Sequence, residues 1–428
     1  MSGPGVTGRA RDHLGRAHVV GAGMAGLSAA VALAGRGLPV ELSESAAQAG
    51  GRCRSYRDSQ LGLVIDNGNH LILSGNESVT RYLAAIGAED RLAGPETADF
   101  AFTDLRDGDS WRLRPNDGPL PWWILSPSRR VPGTGAAGYL ALGKLLRPHP
   151  GKRIDEVLDC SGPLWERLLQ PFLVAALNTR PQEGSADLAG AVVRDSLARG
   201  GGACRPRIAE PTLAAAFVDP ALAHLGRQGT GIRLSRRLRG LEFEGERVSA
   251  LAFADGLVPV GRDEAVVLAV PPWVATELVP GLEAPDDFRA ILNAHFRLAP
   301  PEGAEPMIGV VGGTAEWIFA FHDRFSVTIS NADALLDADP EALARRIWGD
   351  IVRVHGLTDA LPPWRIVKEK RATFAATPAQ DARRPSTHTR WTNLFLAGDW
   401  TDTGLPSTIE GALRSGERAA ALALSIMN

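Results

Sequence analysis

Three glycines and an acid that follows them are the first residues in this chain whose spacing could do chemistry. Residues 17–26 run Ala-His-Val-Val-Gly-Ala-Gly-Met-Ala-Gly. Gly21 suits a tight turn, Gly23 lets the backbone approach a pyrophosphate, and Gly26 allows a helix to pack closely on a strand. Met24 and Ala25 open that helix, whose free N–H groups would point at phosphate oxygens. The second strand, Pro39–Glu44, ends in Glu44, where a carboxylate can accept both hydroxyls of a ribose. Glu41 is the fallback for that role.

A second set stands at the other end of the chain. Residues 394–411 read Leu-Phe-Leu-Ala-Gly-Asp-Trp-Thr-Asp-Thr-Gly-Leu-Pro-Ser-Thr-Ile-Glu-Gly. This is an apolar strand, then Gly398-Asp399, then a helix start. Asp399 is placed to meet a ribityl chain or a pyrophosphate. Ser407 reads as the N-cap of the last helix, with Glu410 three residues on. The N–H groups at Thr408 and Ile409 suit the N1–C2=O edge of a flavin, where negative charge collects on reduction. Two such sites in one chain imply one long ligand between them, most simply FAD. Gly50-Gly51-Arg52 adds a close backbone approach and a cation for phosphate. Gly68, Asn69 and His70 form a polar turn between apolar strands. His70 either faces the flavin or hydrogen-bonds within the turn. Leu238, at the start of an alternating stretch over 238–260, joins the expected cofactor contacts.

These residues need elements to hold them. Strand–helix alternation occurs at the N-terminus, near 212–270 and at the C-terminus, and the segments between are less regular. The expectation is a mixed α/β fold. A Rossmann-like FAD-binding domain is assembled from discontinuous segments, 17–75, 205–275 and 390–428. An inserted substrate domain of mixed sheet and helices comes from 76–204 and 276–389. Residues 1–16 read as a disordered leader without the apolar core of a signal peptide.

Bulk properties narrow the class. The chain has 428 residues, enough for two domains, and a formal charge of -3 with no basic block, which argues against a nucleic-acid partner. Cys53, Cys160 and Cys204 have no metal-like spacing, so no metal site is expected, and they read as reduced thiols of a cytoplasmic protein. No run reaches the length of a membrane-spanning helix.

The motifs together resemble the amine-oxidase and phytoene-desaturase superfamily of flavoproteins. Longer stretches are similar to its squalene-associated branch, the hydroxysqualene dehydroxylases. They are Asp66–His70, Pro171–Thr179, Val193–Ser196, Gly312–Trp317, Lys370–Phe374 and Gly398–Gly416. The resemblance implies non-covalent FAD, a donor of electrons that the sequence does not identify, and a reaction that replaces an allylic hydroxyl by hydrogen. Such a reaction needs an acid, a dry apolar cavity and a flavin face. Asp195, His70 and Glu410 are the candidate acids, Arg194 and Arg371 candidate orienting charges, and Asn178 a candidate pocket residue. The strand after Pro271-Pro272 carries no lysine over Ile291–Phe296, where many amine oxidases have one. A desaturase of a related isoprenoid, an amine oxidase and a non-catalytic binding module are the rival expectations.

The segment 119–146 is rich in Trp and Leu and carries Arg129, Arg130 and Lys144. It suits either a lid over the substrate domain or peripheral contact with the inner face of the cytoplasmic membrane.

Overall fold

The computed structural model describes residues 15–358 and 360–427. Most of the expected leader, 1–14, lies outside the described residues. The chain opens with β1 (Ala17–Val20), α1 (Met24–Ala34) and β2 (Val40–Ser43), followed by α2 (Glu77–Ile86). Then come β3 (Phe100–Asp104), β4 (Ser110–Leu113), α3 (Gln170–Leu177), α4 (Ala186–Asp195), β5 (Gly231–Arg233) and β6 (Ala265–Leu268). The strands β7 (Phe288–Phe296), β8 (Met307–Val311), β9 (Trp317–Ala320) and β10 (Phe325–Ile329) precede α5 (Pro340–His355). The chain closes with β11 (Trp364–Phe374), β12 (Leu394–Leu396) and α6 (Ile409–Met427).

A parallel sheet has the order β5-β2-β1-β6-β12. Its inner strands are β-branched and leucine-rich because helices cover them, the usual composition of a parallel sheet. Helix α1 lies on this sheet against α6, and small residues set the spacing. A Cβ on Gly416 would collide with the Ala25 carbonyl, and Ser28 donates to the Leu413 carbonyl at 2.8 Å. Thus residues almost four hundred positions apart share one layer.

Helix α2 shows a difference from the expected division at residue 76. Its apolar face, Val79, Tyr82, Leu83 and Ile86, packs into the core formed by α1, α6 and the parallel sheet. The Ser78 and Val79 amides donate to Glu410 on α6. Buried contacts rather than sequence position attach this helix, so α2 goes with the nucleotide side.

A second sheet has the order β11-β7-β10-β9-β8-β3-β4, antiparallel except for the parallel pair β8–β3. Helix α5 covers one face through Leu343, Ile347, Trp348 and Ile351. The other face is left for a cavity. Its strands alternate, so every second residue points there. Among the described residues, no helix is long and apolar enough to cross a membrane.

Candidate active site

One cavity of about 1010 Å³ runs from the glycine turns to the open face of the second sheet. At its nucleotide end, Gly21 has φ of 103°, which a side chain would strain, and a Cβ on Gly26 would strike the Gly21 carbonyl. Gly23 differs: an added Cβ there meets nothing within 4 Å. The protein itself does not require glycine at 23; a molecule in the groove would. Gly51 lies across from it in a left-handed conformation with φ of 55°, and a Cβ there would press on the Cα of Gly23 at 3.3 Å, closer than ordinary contact. The cradle therefore fits a pyrophosphate.

Glu44 lines the cavity and is held rigidly. Its carboxylate accepts the Ala22 amide at 2.7 Å and the Ala46 amide at 2.8 Å. Glu41 turns away toward β5, 3.5 Å from Arg233, so the fallback assignment is set aside. Arg52 binds Asp399 at 2.6 Å and the Ala372 carbonyl. This ion pair joins the two cofactor motifs directly. Met24, Ala25, Gly68, Asn69, His70, Leu238, Gly398, Thr408 and Ile409 also line the cavity.

The last helix starts differently from the expected pattern. Thr408, not Ser407, is the N-cap, accepting the Gly411 amide at 3.0 Å. The Ser407 hydroxyl is left buried without a partner at the cavity wall. Glu410 does not return to its own helix start. Its oxygens accept the Ser78 and Val79 amides and face Arg414 at 3.2 Å. A carboxylate at the first turn of α2 also complements that helix's dipole. Glu410 is therefore a structural clamp, which removes it from the candidate acids.

Two other acid candidates face the cavity. Burial pushes the His70 imidazole down to about 4, and the nearby Arg52 cation adds to the shift. His70 is therefore neutral at pH 7. Asp195, at the end of α4, pairs with Arg414 at 3.2 Å through one oxygen. Arg194 is not brought to the site. Val192 and Asp195 lie on the cavity face of α4, so its neighbour Arg194 projects outward and is exposed. Nor does it pair with Asp195.

Arg371 lies over the Trp273 ring at 4.7 Å and the Phe288 ring at 5.7 Å, at the cavity wall. Asn178 ends α3 in a left-handed conformation with φ of 50°. Its amide donates to Thr373 at 3.0 Å and to the Arg289 carbonyl at 3.3 Å, and its oxygen accepts the Asn331 amide at 2.5 Å. These bonds fasten α3 to β7, β11 and the turn after β10, so the Asn178 amide is engaged in the wall itself.

The sheet face carries further residues, most of which were given no individual role from the sequence. At the cofactor side, Asn67 donates to Glu369 at 3.1 Å, and Thr328 donates to Asn293 at 2.8 Å while accepting from Asn69 at 3.2 Å. Farther along, Phe100, Phe102, Leu113, Trp317 and Phe319 make the same face apolar, and Leu168, Leu169 and Phe172 close it from the helices. The paired spacings 100/102 and 317/319 are the signal that a strand-period search would have found.

The comparisons with known proteins fit this geometry. The sequence pattern of flavin containing amine oxidoreductases matches residues 24–299 and 321–424. Hydroxysqualene dehydroxylase from Rhodopseudomonas palustris is 55% identical over 409 residues, covering 95% of this chain and 98% of that protein. The enzyme of the same name from Sinorhizobium fredii is 53% identical over 411 residues, covering 96% and 99%. The chain belongs to the hydroxysqualene dehydroxylase family of flavin-containing amine oxidoreductases. Among solved structures, cyclohexylamine oxidase from Brevibacterium oxydans superposes with a TM-score of 0.68 at 16% identity, covering 97% of this chain and 100% of that one. Putrescine oxidase bound to putrescine gives 0.65 at 14% identity, covering 96% and 99%. At such identities the likeness concerns the fold. Family membership makes the chain an FAD-dependent oxidoreductase. Strand β7 presents Ile291 and Asn293 to the cavity.

Proposed function

We propose that this protein reduces hydroxysqualene to squalene, breaking the allylic C–O bond and forming a C–H bond in its place. The observation that carries this reading is the polarity of this continuous cavity: a phosphate- and ring-sized polar groove opens onto an aromatic, hydrocarbon-sized chamber. When bound, reduced FAD supplies the hydride, and two electrons from a separate donor are needed for each turnover. The hydroxyl leaves as water, taking up one proton. We assign delivery of that proton to Asp195, whose second oxygen is not engaged by Arg414. Arg414, in turn, fixes the Asp195 carboxylate relative to the start of α6. Neutral His70 and the Asn67–Asn293–Thr328 cluster orient the polar end of the substrate, and the aromatic walls exclude water that would otherwise recapture an allylic cation.

The FAD is held without a covalent bond. The Cys53 thiol lies beside Arg52, but burial pushes it up to about 12, too high for a nucleophile at neutral pH. Gly21–Gly26, Glu44, Gly51-Arg52, Leu238, Asp399 and Thr408-Ile409 hold the cofactor, and the cofactor half of the fold comprises 17–86, 205–275 and 390–428. Because substrate and product are insoluble, we place the working enzyme at a bilayer surface on the cytoplasmic side.

The direct test is mass spectrometry of the product after anaerobic incubation with hydroxysqualene and dithionite. Squalene is the expected product. Unchanged hydroxysqualene, or a more unsaturated product formed with oxidised enzyme, overturns the assignment in favour of a desaturase.

A further inference from the structure

The segment between Gly118 and Ile154 has a composition unlike the rest of the chain. It contains six cations, Arg129, Arg130, Lys144, Arg147, Lys152 and Arg153, and no Asp or Glu. At the chain's average of 49 acids in 428 residues, about four would be expected there. The chain as a whole is acidic, so the segment is a local reversal of charge. Among the described residues, Arg153 pairs with Asp155, while no ion pair involves Lys144, Arg147 or Lys152. All three are exposed.

The same segment exposes large apolar side chains. Leu120 is 60% exposed, Trp122 64%, Leu125 63% and Leu140 61%. Their neighbours point the other way: Trp123, Ile124, Tyr139, Leu142 and Leu145 are buried in the main core. Trp123 meets Tyr139 edge-on at 5.1 Å, which fixes the 122–125 and 136–140 turns side by side. The outward residues are therefore held in place by packed inward ones, and a flexible loop could not present them this way.

We infer that this face docks on an anionic lipid bilayer, with Trp122, Leu125 and Leu140 entering the interface and Lys144, Arg147 and Lys152 meeting the headgroups. This inference rests on the isoprenoid reading above and deepens it by naming the lipid chemistry and the residues. Tryptophan and leucine suit the boundary between headgroups and acyl chains, and nearby cations add attraction to anionic lipid that salt screens. The face also lies close to the chamber. Leu164 packs at Gly138, and Leu168, Leu169 and Phe172, one and two turns later, line the cavity.

The test is co-sedimentation of the FAD-loaded protein with vesicles of phosphatidylcholine alone and of phosphatidylcholine mixed with phosphatidylglycerol. The mixed vesicles are expected to bind it at least tenfold more tightly, and added salt to reduce that preference. K144E/R147E/K152E should abolish the preference for anionic lipid, each cation contributing about fivefold. W122S/L125S/L140S should weaken binding to both vesicle types. Both triple variants should retain FAD and turn over detergent-dispersed hydroxysqualene at the rate of the original protein. Failure to bind the mixed vesicles, equal binding to both types, or variants that bind as the original protein does would each overturn the docking proposal. Turnover in detergent reports on the reaction separately: its loss in the unaltered protein would count against the proposed function, whatever the vesicles show.

Discussion

The two ends of the cavity are built by different rules. At the cofactor end, recognition comes from backbone and from a few fixed charges: glycines that open space, Glu44 held by the Ala22 and Ala46 amides, and Arg52 paired with Asp399. At the hydrocarbon end, side chains from widely separated strands supply the wall, and no single residue carries it. The first kind of site depends on local spacing and tolerates little change. The second depends on summed apolar area and tolerates more, provided that volume and dryness are kept.

Substitutions should separate the two kinds of site. The largest effect is expected at Gly23. Because its Cβ position faces empty groove, G23V should leave the melting temperature of the apoprotein unchanged while weakening FAD binding by more than about 100-fold, measured by fluorescence titration. Its neighbour makes the control: G26V forces a side chain into the Gly21 carbonyl, and folded protein should be lost altogether. If G23V binds FAD normally, the cradle is not a phosphate site. Next comes D195N, which should lower kcat by roughly 100-fold with FAD affinity and melting temperature retained, the size expected for a lost proton donor. Normal turnover by D195N would move the acid role elsewhere on the wall. Smaller again, E44A should weaken FAD by about tenfold, in line with the loss of a charged hydrogen-bond acceptor. Unchanged occupancy would contradict the ribose assignment.

The smallest effect concerns pH. His70 has a folded pKa near 4 against 6.5 when unfolded, so the unfolded chain binds the proton more readily. The folded state's advantage is complete above pH 6.5 and falls as the pH drops from 6.5 toward 4. The apoprotein should therefore lose melting temperature over that window, and H70Q should lose less. Equal acid sensitivity in H70Q would mean that the imbalance lies elsewhere, for example at His295, where burial and Arg324 push the imidazole down to about 3.

How much the chain discloses follows the same division. The βαβ unit at 17–43 and the helix–strand closure at 394–427 were legible because their signals are contiguous: a strand, a glycine turn, a helix. The Arg52–Asp399 pair was not legible as a pair, although each residue was, since only the parallel sheet brings them together. Among the acid candidates, Glu410 and Asp195 looked equivalent in sequence. Packing of α2 on α6 separated them, by giving Glu410 two amides to hold. Arg194 failed for a geometric reason, the 100° step between neighbouring residues on a helix. Within the second sheet, β3 and β4 were the least legible part. The strands over Phe100–Leu113 are short and joined by a charged turn, and their parallel partner β8 is two hundred residues away.

Passage of electrons from the polar end to an isoprenoid alcohol at the apolar end can be followed in a single turnover. Enzyme with its flavin reduced by dithionite is freed of excess reductant under anaerobic conditions and mixed with one equivalent of hydroxysqualene. Recovery of oxidised flavin absorbance together with one squalene per flavin is the predicted result. Flavin that stays reduced while the alcohol persists, or that reoxidises without squalene appearing, would contradict the account.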